Sequence, residues 1–302
     1  MIYIYLKKGE IMKIKDIFKN KDTVISFEIF PPNDKSPVEK IYKTIDELSE
    51  LKPDYISVTY GAGGTSQERT VEITKRIKNI NKIETMAHLT CIGATEESID
   101  DTLKQLKNNK IKNILALRGD IPRNKIHNSE FSYASDLVKH IKKENFFSIG
   151  GAFYPEVHFE NNDLLDLFHL KTKVDSGTDF LVSQLFFDNE DFYKFKEKTQ
   201  KLNINIPLVA GILPVTNYKQ IQKVRELCNA RIPRKFQTIL DKFKDNPKAL
   251  EEAGITYATE QIIDLIASGV EGIHIYTMNK VSVTKKILEN IKYIREGIKE
   301  VD

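Results

Sequence analysis

Cysteine is almost missing from this chain. Cys91 and Cys228 are the two thiols in 302 residues. They are too few for a disulfide framework and lack metal-site spacing, so a reducing cytoplasm is the expected location. An excess of one charge is missing too. The 46 basic and 43 acidic groups leave a net charge of +3, which offers no strong basic field for nucleic acid or a membrane surface. Long apolar runs are absent as well. The opening MIYIYLKKGEIMKIK breaks at Lys7, too early for a signal core or a membrane span. Residues 1–11 add no evident element, so Met12 is an alternative start to Met1. The six histidines, His88, His127, His140, His158, His169 and His274, form no HExxH pair, so no metal site is expected. There is no Walker A loop, no GxSxG and no cysteine with a positioned histidine, which argues against P-loop, serine-hydrolase and cysteine-nucleophile chemistry.

What is present is a rhythm. β-branched and aromatic runs occupy Val24–Phe30, Asp54–Tyr60, Glu84–Cys91, Asn113–Arg118, Phe147–Phe153, Asp179–Phe186, Pro207–Leu213 and Gly272–Thr277. Their starts are spaced by 30, 30, 29, 34, 32, 28 and 65 residues. Amphipathic helical patterns lie between them, as in Thr70–Ile77 and Leu164–Lys171. Helix starts are marked by the capping-box spacing of Thr65–Glu68 and by Thr95 before Glu96 and Glu97. Eight strands alternating with helices predict an α/β fold, a single-domain (β/α)₈ TIM barrel. A doubly wound sheet competes, but Pro31-Pro32 stands where its glycine-rich first turn belongs. The expected layout is a lead-in over 1–23 and a barrel over 24–302. The long last interval holds the seventh helix plus an inserted helical segment near 231–268.

In such a barrel the site lies at the C-terminal strand ends, and here those ends carry polar groups. They are Glu28, Thr59-Tyr60, His88 and Thr90, Arg118-Gly119-Asp120, Tyr154 to His158, Gln184, and Tyr276-Thr277. Packing alone does not ask for them. Each also has a structural reading: Glu28 suits an ion pair with Arg118, His88 a satisfied core histidine, and Gly61–Gly64 a tight turn.

Taken together the motifs resemble one family. FEIFPP, TYGAGG (Thr59–Gly64), HLTC (His88–Cys91), LRGD (Leu117–Asp120), YPEVH (Tyr154–His158), QLFFD (Gln184–Asp188) and GILP (Gly211–Pro214) follow the order and spacing of the methylenetetrahydrofolate reductases. The resemblance runs from about Val24 to Lys280, and the chain looks like the short bacterial form, without the regulatory domain of eukaryotic members. It implies an FAD-containing barrel that reduces 5,10-methylenetetrahydrofolate to 5-methyltetrahydrofolate, with NADH or NADPH as donor, feeding methyl groups to methionine synthesis or one-carbon metabolism. By motif position, FAD contacts fall on Thr59, His88, Arg118, Gly119, Asp120, Tyr154, Asp166 and Lys173. Folate contacts fall on Gln184, Gln220, Tyr276 and Lys280. A homo-oligomer is also implied. The sequence departs from the pattern at Val224, where some members carry an aromatic, and at Lys280, which replaces an Arg. Some anaerobic members take electrons through a partner protein, and that route stays open, as does a non-catalytic folate-binding homologue.

The resemblance puts Glu28 on the general acid. Protonation at N10 opens the bridged ring to an N5 iminium cation that accepts hydride, and a carboxyl in a partly apolar barrel mouth is a suitable donor. Asp120, the second catalytic candidate, would stabilise that cation.

Overall fold

The computed structural model describes residues 12–33, 35–60, 67–120, 130–156, 162–228 and 230–297. Eight strands close into one parallel barrel in sequence order: β1 (Val24–Ile29), β2 (Tyr55–Val58), β3 (Glu84–Thr90), β4 (Asn113–Leu117), β5 (Ser148–Phe153), β6 (Phe180–Ser183), β7 (Leu208–Ile212) and β8 (Gly272–Tyr276). Closure is made by β1 against β8, with Ser26 opposite His274 and Glu28 opposite Tyr276. Every strand falls inside its predicted run. Strand residues alternate between two environments, as the pleat requires. Phe27 and Ile29 join the outer core beneath the helices. Val24, Tyr55, Met86, Leu115, Phe180, Val182 and Val209 fill the barrel interior.

A short helix, α1 (Ile14–Ile17), closes the barrel's lower end. Ile14 and Ile17 are buried in the interior cluster, and the Phe18 ring lies 5.4 Å from Phe180. Asn113 Oδ1 accepts the Ile14 N–H at 2.8 Å, so the plug is hydrogen-bonded to β4 as well as packed. Burying two isoleucines stabilises the plug by roughly 3–6 kcal/mol. The lead-in over 12–23 is therefore part of the core.

The helices that follow are α2 (Glu39–Ser49), α3 (Gln67–Arg76, extended by a π-helical turn over Ile77–Asn81), α4 (Glu96–Asn108), α5 (Ala134–Lys142), α6 (Asp163–Asp175) and α7 (Asn189–Lys201). Next come α8 (Tyr218–Cys228), α9 (Arg234–Phe243), α10 (Pro247–Ala267), α11 (Val281–Asn290) and α12 (Lys292–Gly297). Thr95 caps α4 as its position suggests. Its hydroxyl accepts the Ser98 N–H at 3.2 Å while Ser98 Oγ accepts the Thr95 N–H at 3.1 Å. The Thr65–Glu68 box, the Gly61–Gly64 turn and His158 lie partly or wholly outside the described residues.

In the long β7–β8 interval, α10 packs on β7, α7 and α11 and so takes the ring position. The additional helices are α8 and α9, which precede it. Gly254 makes this possible. A Cβ there would stand 1.7 Å from the Val215 carbonyl oxygen, so α10 approaches the end of β7 more closely than any side chain allows.

Candidate active site

Glu28 is the innermost charged group at the mouth, with 6% of its surface exposed. Its apolar neighbours in sequence, Phe27 and Ile29, point to the opposite face. The two charged-group contacts of Glu28 are both imidazoles. His88 Nε2 from β3 and His274 Nε2 from β8 each lie 3.5 Å from the same oxygen, Oε2. This arrangement takes the place of the Arg118 ion pair weighed from the sequence. Burial pushes the His88 pKa down to about 4, against the pull of the Glu28 charge. His88 is therefore neutral at neutral pH. His274 is fully buried and held from below: Ser26 Oγ stands 2.7 Å from its Nδ1 and Ser57 Oγ 3.3 Å from its Nε2. Sequence reasoning missed His274, Ser26 and Ser57. A signal existed, because Ser26 and Glu28 share the inward parity of β1 and Ser26 pairs with His274.

Around this centre lie groups a cofactor can use. Thr59 Oγ1 and His88 Nε2 are buried and have no hydrogen-bond partner among the described residues, the 3.5 Å approach of His88 to Glu28 being too long and misaligned to count as one. Native proteins rarely leave such atoms orphaned, and a polar ligand at the mouth would satisfy both. Gly119, in the turn after β4, has φ +87°, and a Cβ there would meet Ile92 Cγ2 at 2.7 Å. Only glycine suits this turn, which sets Arg118 and Asp120 on either side. Tyr154 reaches Gln184 through its hydroxyl and feels the charges of Asp120 and Arg118, and burial raises its pKa. Asp166 and Lys173 both lie on α6. Lys173 Nζ donates to the Ala152 carbonyl at 2.6 Å; burial lowers its pKa to about 8, and Asp166 pulls it back up.

The folate candidates form a second group. Tyr276 donates to the Ser183 carbonyl at 2.6 Å and lies near Glu28 and Tyr154, with its pKa raised well above the ordinary value by burial. Gln220 on α8 accepts the Thr216 N–H at 2.9 Å and donates to the Pro214 carbonyl at 3.3 Å. Lys280 Nζ donates to Thr216 Oγ1 at 2.5 Å. Thr216, also unanticipated, thus joins Gln220 to Lys280. Val224 is turned into an apolar cluster with Ile221, Phe236 and Leu240. Cys228, at the end of α8, has its thiol pKa raised by burial and, second, by the nearby charge of Asp120. Among the described residues no group of three His, Cys, Asp or Glu is arranged to hold a metal ion, and no helix is long and apolar enough to cross a membrane.

The chain is similar to methylenetetrahydrofolate reductase (NADH) 1 of Arabidopsis thaliana, 38% identical over 94% of this chain and 51% of that protein. It thus spans about half the length of the plant relatives it matches. It is 37% identical to 5,10-methylenetetrahydrofolate reductase of Escherichia coli, over 91% of this chain and 92% of the relative. In fold it is similar to a protein from Clostridium thermocellum described as binding two copies of 5-methyl-5,6,7,8-tetrahydrofolic acid, with a TM-score of 0.70 at 17% identity, covering 94% of this chain and 100% of that one. Residues 13–292 match the family model described as methylenetetrahydrofolate reductase, and the chain belongs to that family.

Proposed function

We propose that the chain reduces 5,10-methylenetetrahydrofolate to 5-methyltetrahydrofolate, with FAD as its cofactor and NADH as the electron donor. The observation that carries this reading is the buried Glu28 carboxyl, set at the mouth between two imidazoles rather than, among the described residues, against an Arg or Lys. A carboxyl paired to Arg or Lys is held ionised and makes a poor acid. The orphaned Thr59 and His88 atoms and the Gly119 turn fit a flavin, which Thr59, His88, Arg118, Gly119, Asp120, Tyr154, Asp166 and Lys173 would hold. When bound, FAD supplies the hydride.

The protein's own part is proton and charge management. Glu28 gives its proton to N10 of the folate, which opens the bridged ring. His274, fixed by Ser26 and Ser57, keeps the carboxyl facing the mouth. Asp120 lies on the exposed side of its turn and offsets the positive charge that develops at N5. Gln184, Gln220, Tyr276 and Lys280 orient the folate.

The donor is named NADH in the Arabidopsis and maize relatives, which supports that choice here. Delivery by a partner protein is favoured by one observation, the aliphatic and buried Val224. Purified protein is expected to show flavin absorption and to release FAD on heating. Anaerobic NADH should bleach the flavin, and methylenetetrahydrofolate should restore its colour. A colourless protein that FAD cannot reconstitute overturns the proposal. Bleaching only by a chemical reductant, followed by normal folate turnover, selects the partner route.

A further inference from the structure

Two motif residues at the strand ends, Glu156 of YPEVH and Asp188 of QLFFD, have no part in the chemistry above. Both turn toward the same residue, Arg231, in the connection between α8 and α9. Glu156 Oε2 accepts the Arg231 backbone N–H at 2.8 Å. The Arg231 guanidinium reaches Asp188 Oδ2 at 2.9 Å and Asp191 Oδ2 at 2.8 Å through one nitrogen. Three carboxylates, from the loop after β5, the loop after β6 and the first turn of α7, thus converge on one residue. A guanidinium shared between carboxylates makes charge-assisted bonds of defined direction.

The anchor on the barrel side is firm. Asp188 caps α7. Its neighbour Phe187 is pinned by α10, with Tyr257 donating to the Phe187 carbonyl at 2.6 Å. Phe236 of α9 stacks on Tyr257 with ring centroids 4.0 Å apart and lies 5.2 Å from the Phe187 ring. Glu156 is half-buried, burial raises its pKa, and its Oε1 has no hydrogen-bond partner. A carboxyl placed there is poorly solvated, and the Arg231 N–H is the contact that compensates it. What hangs from the latch is α8, which carries Gln220 and ends three residues before Arg231 at Cys228, beside Asp120.

We infer that Arg231 is a positioning residue: by locking to Asp188, Asp191 and Glu156 it holds the C-terminal end of α8 against the barrel mouth and so sets folate affinity through Gln220, without touching the ligand. This rests on the folate-reductase reading. Removing the latch leaves Glu28, the flavin contacts and the barrel intact. The effect therefore falls on binding rather than on the chemical step.

The test uses the holoenzyme and two variants, Arg231→Ala and Arg231→Lys. Amide hydrogen exchange over 218–228 should quicken in Arg231→Ala, less in Arg231→Lys, and stay unchanged in the barrel strands. The KM for methylenetetrahydrofolate should rise roughly tenfold in Arg231→Ala, the scale of a lost charge-assisted bond. kcat, FAD content and flavin reduction by NADH should stay within about twofold of wild type on the same reasoning. Asp188→Asn, which retains the cap of α7, should reproduce part of the KM effect. Unchanged exchange in α8 overturns the inference, as does a fall in kcat with KM unaltered. If wild-type protein fails to reduce the folate at all, the functional reading falls with Arg231's role in affinity, while the exchange comparison still decides whether the latch exists.

Discussion

The barrel interior has two walls of opposite character. Along β8, β1, β2 and β3 its inward positions hold His274, Ser26, Glu28, Ser57 and His88, above the apolar Val24, Tyr55 and Met86 at the lower end. Along β4, β6 and β7 they hold Leu115, Phe180, Val182 and Val209. Burial does not separate the walls, since Ser26, Ser57 and His274 are as fully enclosed as Phe180 and Val209. Energetics do. A buried aliphatic or aromatic side chain stabilises the fold by roughly 1.5–3 kcal/mol, whereas a buried polar group costs free energy until it is hydrogen-bonded. The apolar wall holds the barrel together. The polar wall is where local packing yields to buried polar groups, the pattern expected of a functional site.

The largest expected contrast comes from the polar wall. Glu28→Gln keeps shape and removes the proton. Folate reduction in single-turnover mixing should fall by roughly 10²–10⁴-fold, the usual loss for a general acid. Flavin reduction, FAD content and melting temperature should stay near wild type. Equal slowing of both half-reactions would mean that Glu28 braces the barrel instead.

Next comes the apolar wall. Phe180 is fully buried against Phe18 of the plug. Phe180→Ala should cost about 3–5 kcal/mol in denaturant unfolding, and flavin reduction in the protein that remains folded should be little changed. A loss below about 1 kcal/mol would mean that the lower barrel collapses to fill the gap.

The smallest effect is a pH dependence. His88 has its pKa lowered from 6.5 to about 4. The unfolded chain therefore binds a proton over that window that the folded protein refuses. Above pH 6.5 the group adds no pH dependence; as pH falls toward 4 the protein loses stability. At about 1.4 kcal/mol per unit the full loss is up to roughly 3 kcal/mol. Unfolding free energies of wild type and His88→Leu, compared from pH 7 to 4, should diverge with wild type falling more steeply. Parallel curves would show that His88 is already solvated.

Much of this was legible from the sequence. Seven runs near 30-residue spacing, with an eighth 65 residues further on, enclose all eight strands, because a parallel strand buried on both faces is mostly β-branched and apolar. The polar strand ends located the mouth, since a TIM barrel presents its loops there. Three things were not legible. A mid-strand histidine such as His274 looks the same whether it packs or orients a carboxyl; the difference lies in β1 and β2, which are distant in sequence. The plug α1 is too short to show periodicity. And which helix fills the ring between β7 and β8 depends on Gly254, whose meaning appears only when α10 lies against Val215.

Thr216 carries a consequence of its own. Lys280 donates to it, its own hydroxyl and N–H point to Gln220, and Gln220 donates onward to Pro214. The four groups form a directed relay from an ammonium to a carbonyl. A ligand that recruits Gln220 or Lys280 must trade against bonds already made, so part of the affinity it gains there is offset. It gains discrimination as well: a molecule offering acceptors at the wrong separation breaks the relay at one point without replacing it, and leaves Thr216, 4% exposed, with a stranded hydroxyl. If Gln220 and Lys280 hold the folate as proposed, selection at the mouth is by geometry, through a residue that need not touch the ligand.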